Sequence, residues 1–350
     1  MTIPYAADSL GGSDRRMLFR HLNASAALNL ERYKDIDHFH DSERYVRAES
    51  VPLQAGDFSV LRATLALPSS TLSLVRTFPR IMNGFELAGR LLIVLPMDGV
   101  TSARINGDEI GQSLLLLKGS PNCTIHEPEG RLVAILSIRQ EALDGRWPDI
   151  GCGHLLLRLP PPRLARLKML VGSILEAAAK APDAMRDMLG RMEEALLDVL
   201  CEAVWLAEIR RTGCAASAMR YKAIVDCVDD IVYADPTGNL SCERLAEAIG
   251  ISVRTLQTAA QHVCGSGVHQ YSRLRRLWSV RQQLHTGPPG LTVKASALAW
   301  GFSHMGEFSA MYQAAFGELP SHTLASAKLG GGARKRERRR GPVWRPASPQ

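Results

Sequence analysis

Between residues 56 and 139 the chain alternates short apolar runs with Gly, Pro, Asn and Asp punctuation: FSVLRATLAL, STLSLVRTF, RLLIVLPM, SARIN-GDE, SLLLLKGS and RLVAILSI. Runs of this length bounded by turn formers predict strands, and Asn106-Gly107 predicts a tight hairpin. Together they predict a β-rich sandwich or barrel within residues 1–160. In front of it, DIDHFHDSERYVRA places Asp caps before helix formers and predicts a short lead-in helix.

The period changes after Pro160-Pro161-Pro162. Residues 163–181 and 183–211 are rich in Ala, Leu, Met, Glu and Arg, and Pro182 ends one helix and starts the next. In the second, Met185, Met192, Val199 and Leu206 repeat every seven residues, with Leu189, Leu196 and Ala203 four behind. This single stripe serves either packing on its own domain or a seam between two copies of the chain. TGCAASAM at 212–219 reads as a linker. From Tyr221 the pattern is helical again, with turn signals that leave about seven short helices and no strand. The tail from Gly330 is rich in Gly, Arg and Pro and reads as disordered.

The expected fold class is therefore α+β and multidomain, with a β-rich part at 1–160, connecting helices at 163–212, an all-α domain at 221–327 and a basic tail at 328–350. A length of 350 residues agrees with more than one core. No apolar run approaches the roughly 18 residues that a bilayer span needs, so no membrane association is expected. MTIPYAADSLGG offers neither a basic n-region nor an apolar h-region, and the expected location is cytoplasmic. The seven cysteines form no CxxC pair, which argues against a zinc ribbon or a disulfide framework and for small buried hydrophobes.

Charge sharpens the picture. The net +7 resides in residues 328–350, and the other 327 residues sum to zero. Within 250–327, however, Arg254, Arg273, Arg275, Arg276, Arg281 and Lys294 face only Glu307 and Glu318. A basic block beside a basic tail suits a polyanion.

Two segments in that block share one design. In LSCERLAEAIGISVRTLQTAAQHV, Ala246 stands four before Gly250, Ile251 follows, Ser252 caps, and Leu256 faces inward. In LTVKASALAWGFSHMGEFSAMYQAAFG, Ala297, Gly301, Phe302, Ser303 and Phe308 take those places, the first four each 51 residues further on. A small residue lets two helices cross closely, glycine supplies a positive φ for the turn, and serine caps the second helix. Two helix-turn-helix units, at about 241–262 and 292–316, are expected, joined by the basic helix RLRRLWSVRQQL.

The stretch 221–327, with RTLQ after the first turn and AWGFSH, EFSAMY and FGELPS around the second, resembles the DNA-binding domain of the AraC/XylS family of transcription regulators. The ending LPSHTL, together with RTLQ, resembles the branch that includes ethanolamine-operon regulators. The resemblance implies a cupin-like effector barrel in the amino-terminal half and two recognition helices placed in successive major-groove segments of double-stranded DNA. Carried onto this sequence, Arg254, Gln257, Thr258 and Gln261 are base readers on the first helix, and His304, Met305, Glu307 and Gln313 on the second. Glu307 departs from the branch, where a basic residue is common; either it accepts from a cytosine amine or its half-site contributes little. Arg275, Arg276 and Arg281 are expected at phosphates. The implied partners are promoter DNA, a small organic effector, RNA polymerase and a second copy in a homodimer.

Enzyme chemistry is not expected: there is no P-loop, GxSxG, HExxH or dinucleotide turn, and no cofactor is implied. His38 and His40 with Glu43 faintly resemble a cupin metal site but fall on the lead-in helix, and no metal ligand is assigned. His126 and His154 read as structural. The expected function is a sequence-specific DNA-binding regulator, of activator type, that responds to a small effector; the alternatives are an amino-terminal half that only dimerises, or a metal-binding cupin sensor.

Overall fold

The computed structural model describes residues 22–42, 47–53, 58–100, 102–119, 122–143, 145, 147, 153–180, 182–209, 215–238 and 241–334. The chain divides into two compact units, Met1–Glu49 with Phe58–Gly213, and Ser50–Asp57 with Cys214–Gln350.

From the amino-terminal side the elements run β1 (Leu28–Tyr33), α1 (Ile36–Ser42), β2 (Arg47–Pro52, which crosses the division at Glu49), β3 (Val60–Ala66), β4 (Ser70–Arg76), β5 (Arg80–Glu86) and β6 (Arg90–Pro96). They continue with β7 (Arg104–Ile105), β8 (Asp108–Glu109), β9 (Leu114–Lys118), β10 (Ile125–Glu127), β11 (Leu132–Arg139) and β12 (Gly153–Arg158). The helices α2 (Pro161–Lys180) and α3 (Pro182–Trp205) and the short β13 (Glu208–Ile209) complete the first unit. The strands make two antiparallel sheets, β1-β3-β4-β11-β6-β9-β12-β13 and β2-β5-β10-β7-β8. All six runs read from the sequence contain strands; β1, β2, β5, β10, β12 and β13 were not anticipated, and β2 begins at Arg47, inside the segment expected to be the lead-in helix.

The larger sheet is buried on both faces, which explains its unbroken apolar runs. Leu91, Ile93 and Leu95, with Leu114 and Leu116, pack against Leu167, Val171, Ile174, Leu196 and Leu200 of α2 and α3. The alternate residues Leu92, Leu115 and Leu117 turn the other way, toward Met82, Ile105 and Ile125 of the smaller sheet. Asn106 and Gly107 both take positive φ, 52° and 92°, at the β7–β8 hairpin, as that dipeptide predicts.

The stripe on α3 packs on its own unit through Leu196 and Ala203, while Leu206 is exposed and Met185 lies outside the described side chains. A contact absent from any apolar pattern fixes α3. Buried Glu193 accepts bonds from the Ser69 amide, the Ser69 hydroxyl at 2.8 Å and the Ser70 hydroxyl at 2.6 Å, satisfying the β3–β4 turn.

The second unit contains α4 (Ala215–Ala234), α5 (Cys242–Ile249), α6 (Val253–Cys264), α7 (Val268–Thr286), α8 (Val293–Ala299), α9 (Met305–Phe316) and α10 (Pro320–Arg334). The long α7 packs against α4, α6, α8, α9 and α10 and forms the spine of the unit. The disorder expected from Gly330 does not begin there, because α10 runs to Arg334; residues 335–350 lie outside the described residues.

Candidate nucleic-acid interface

The two crossed-helix units repeat at backbone level. In the first, Gly250 takes φ 75°, and the amide of Ile251 bonds the carbonyl of Ala246 at 2.9 Å. In the second, Gly301 takes φ 80°, and the amide of Phe302 bonds the carbonyl of Ala297 at 2.9 Å. These six-to-one bonds close each turn, and the left-handed glycine makes them reachable. Leu256 and Phe308 lie fully buried at matching places in the second helix of each pair.

The helix starts differ. Ser252 caps α6, its hydroxyl accepting from the Thr255 amide at 3.1 Å, as expected. The expectation that Ser303 caps α9 is corrected: the helix begins one residue later, with His304 at the cap position and no side-chain cap bond. Glu307 lies in that uncapped first turn, where a carboxylate offsets the positive end of the helix. This gives it a local reason to be acidic.

On α6, Arg254, Thr258 and Gln261 are exposed at i, i+4 and i+7 and so share a face. The Thr258 hydroxyl donates to the Arg254 carbonyl at 2.8 Å, and the Gln261 amide nitrogen donates to the Gly265 carbonyl at 3.1 Å. Gln257 turns inward, which corrects its assignment as a base reader. Its Nε2 donates to the Cys242 Sγ at 3.0 Å and its Oε1 accepts from the Val268 amide at 3.3 Å, joining α5, α6 and α7. On α9, His304, Glu307 and Gln313 are exposed. Met305 packs against the Phe302 and Phe308 cluster and is likewise withdrawn from the readers.

The basic helix α7 required the largest correction. Arg275 and Arg281 are each 2% exposed and cannot reach phosphate. Arg275 Nε pairs with the Asp229 carboxylate of α4 at 3.2 Å, beside the Tyr233 ring, and Tyr271 donates its hydroxyl to the same carboxylate at 2.9 Å. Arg281 pairs with Glu318 at 2.9 Å and lies over Phe316. One arginine thus ties the spine to the first half and the other ties it to the second. Arg276 is half-buried over Phe302, and burial first, then Arg273, lowers its pKa. Arg273, which the sequence reading counted only as charge, is exposed three residues before it. Its position opposite the Tyr271–Arg275–Trp278 face was the signal available. Burial raises the Cys264 pKa, so this thiol stays protonated beneath the helices.

Outside this unit, His38 lies edge-on to Tyr33 and His40 beside Phe39, while Glu43 falls outside the described residues. Among the described residues no three His, Cys, Asp or Glu side chains gather as metal ligands. No described helix is long and apolar enough to cross a membrane.

Two glycine-turned helix pairs on one spine define a helix-turn-helix protein. A helix-turn-helix domain family matches residues 245–326. The XylDLEGF operon transcriptional activator of Pseudomonas putida is 40% identical over 91 residues, which is 26% of this chain and 28% of that protein. XylDLEGF operon transcriptional activator 2, from the same organism, is 31% identical over 124 residues, 35% of this chain and 76% of its own length. Among solved structures, the AraC-like transcriptional activator CuxR is 13% identical, with a TM-score of 0.37 over 71% of this chain and 94% of its own. The chain belongs to the AraC/XylS family of transcription regulators, although the match spans little more than a quarter of the first curated relatives.

Proposed function

We propose that the chain is a sequence-specific DNA-binding transcription regulator, of activator type, whose two helix-turn-helix units read duplex DNA in response to a small organic effector. The observation that carries the DNA reading is the doubled turn: two glycine-closed helix pairs, 51 residues apart, each leaving the polar face of its second helix in solvent. Arg254 is the guanine reader, Thr258 and Gln261 stand beside it, and His304, Glu307 and Gln313 form the reading edge of the second helix. Arg273, Arg276 and Lys294 take phosphates. Activation adds RNA polymerase as a partner, and the exposed Met188 on α3 and Leu206 just past its end leave room for a second copy.

The effector reading rests on a cavity of about 80 Å³ between the two sheets, lined by Met82, Leu92, Leu115, Leu117 and Ile125 among others. It is far smaller than a drug-sized pocket, so its ligand is small. The binding test is Arg254→Ala on the promoter region next to the gene. Affinity for the preferred site falls by about 1–3 kcal/mol and preference relaxes at one base. Unchanged footprints would remove Arg254 from the reading surface.

A further inference from the structure

The cavity between the sheets is apolar except at one end, where Arg80, Glu127, Arg131 and Ser113 line it. The two arginines differ. Arg80 Nε donates to the Glu127 carboxylate at 2.8 Å, with both side chains buried, so that charge is matched. Arg131 is 3% exposed, its Nε has no hydrogen-bond partner, and its Nη2 reaches only the Gly111 carbonyl at 3.4 Å. Among the described residues no carboxylate is paired with it.

The neighbouring charges do not supply the missing counterion. The nearby Asp98 carboxylate accepts from the amides of Val100 and Leu132, at 3.1 and 2.7 Å. Lys168, which burial, Asp98 and Arg131 all influence, donates to Gln112 at 2.7 Å. Asp98 and Lys168 carry opposite charges, and Arg80 and Glu127 cancel each other, so the cavity end retains one positive charge. A buried guanidinium left in this condition has lost its hydration without gaining a charged partner. Its planar donor fork matches a carboxylate.

Resting on the reading that this unit binds an effector, we propose that the cavity takes a small monocarboxylic acid, its carboxylate on Arg131 and its apolar body among Met82, Leu92, Leu115 and Ile125. The volume limits the body, because an apolar cavity nearly twice as large, ~150 Å³, is what admits benzene. A dicarboxylate would place its second charge against those apolar walls.

The test uses the full chain with propanoate, butanoate and 3-methylbutanoate, and with the neutral amides of the same acids, read by calorimetry and by thermal unfolding. The acids bind and raise the unfolding temperature, and each binds roughly tenfold or more tighter than its amide. Arg131→Met lowers acid affinity by roughly tenfold to a hundredfold while the unliganded protein unfolds no earlier, because an unpaired buried charge is replaced by an apolar chain. Should that variant fail to fold, Arg131→Lys, which keeps the charge but loses the fork, narrows the acid-over-amide preference. Equal binding of acids and amides overturns the carboxylate assignment and leaves the effector reading standing. Stabilisation by uncharged metabolites but by none of the acids does the same. If nothing binds and the cavity stays closed, both readings fall and the amino-terminal half serves assembly.

Discussion

Gly250 and Gly301 occupy the same place in the two helix-turn-helix units, yet their replacement by alanine has unequal consequences. Each takes a left-handed φ, 75° and 80°, and an L-residue held there costs about 1 kcal/mol at the low end of its usual range. Around Gly250 that is the whole effect, since nothing lies within 4 Å of an added Cβ. At Gly301 the same Cβ would meet the Pro236 carbonyl oxygen at 2.5 Å and Arg276 Nη1 at 3.0 Å. The carbonyl is backbone and cannot swing aside, so overpacking adds about 1–3 kcal/mol. The totals are about 1 kcal/mol for Gly250→Ala and about 2–4 kcal/mol for Gly301→Ala. Amide hydrogen exchange on the full chain resolves the two sites separately. Peptides from 242–264 should exchange about fivefold faster in Gly250→Ala, and peptides from 293–316 about 30- to 700-fold faster in Gly301→Ala. If the two variants changed their own peptides by the same factor, the turn of the second unit would not rest on Pro236.

Arg273→Ala should lower the slope of log affinity against log salt by about one, whereas Arg281→Met should leave that slope unchanged, as salt titrations of binding would read. Asp229→Ala removes the carboxylate that the buried Arg275 and Tyr271 share; it should destabilise the helical unit by about 3–5 kcal/mol in denaturant unfolding. Glu193→Ala leaves the Ser69 and Ser70 donors unpaired and should cost the β-rich unit about 1–3 kcal/mol, measured by exchange across β3 and β4. Burial holds His126 and His154 below the ordinary histidine pKa of 6.5, so between the folded and unfolded values the unfolded chain binds more protons. Stability of the β-rich unit should therefore fall as pH drops below about 7, and His154→Gln should flatten that dependence in thermal unfolding across pH 5–8.

Much of the design was legible along the chain because it is local. A strand is announced by a short apolar run between turn formers, and a helix-turn-helix by alanine, glycine and an inward aromatic or leucine at fixed spacing. Ala246, Gly250, Ile251 and Leu256, and their counterparts Ala297, Gly301, Phe302 and Phe308, therefore stood in the sequence as they stand in the fold. The Asn106-Gly107 hairpin was fixed the same way. Where a polar side chain ends is not local. Arg275, Arg276 and Arg281 look alike on a basic helix, but α7 is enclosed by five other helices, and Asp229 and Glu318, distant in sequence, bury two of the three. Gln257 met the same fate between Cys242 and Val268. Nor could any run reveal that Leu91 and Leu92 serve different cores, that Glu193 would hold a turn 123 residues away, or that Arg131 would be buried without a carboxylate. Backbone geometry follows from neighbouring residues, whereas burial and charge pairing depend on which surfaces meet, and that is decided only when the elements pack.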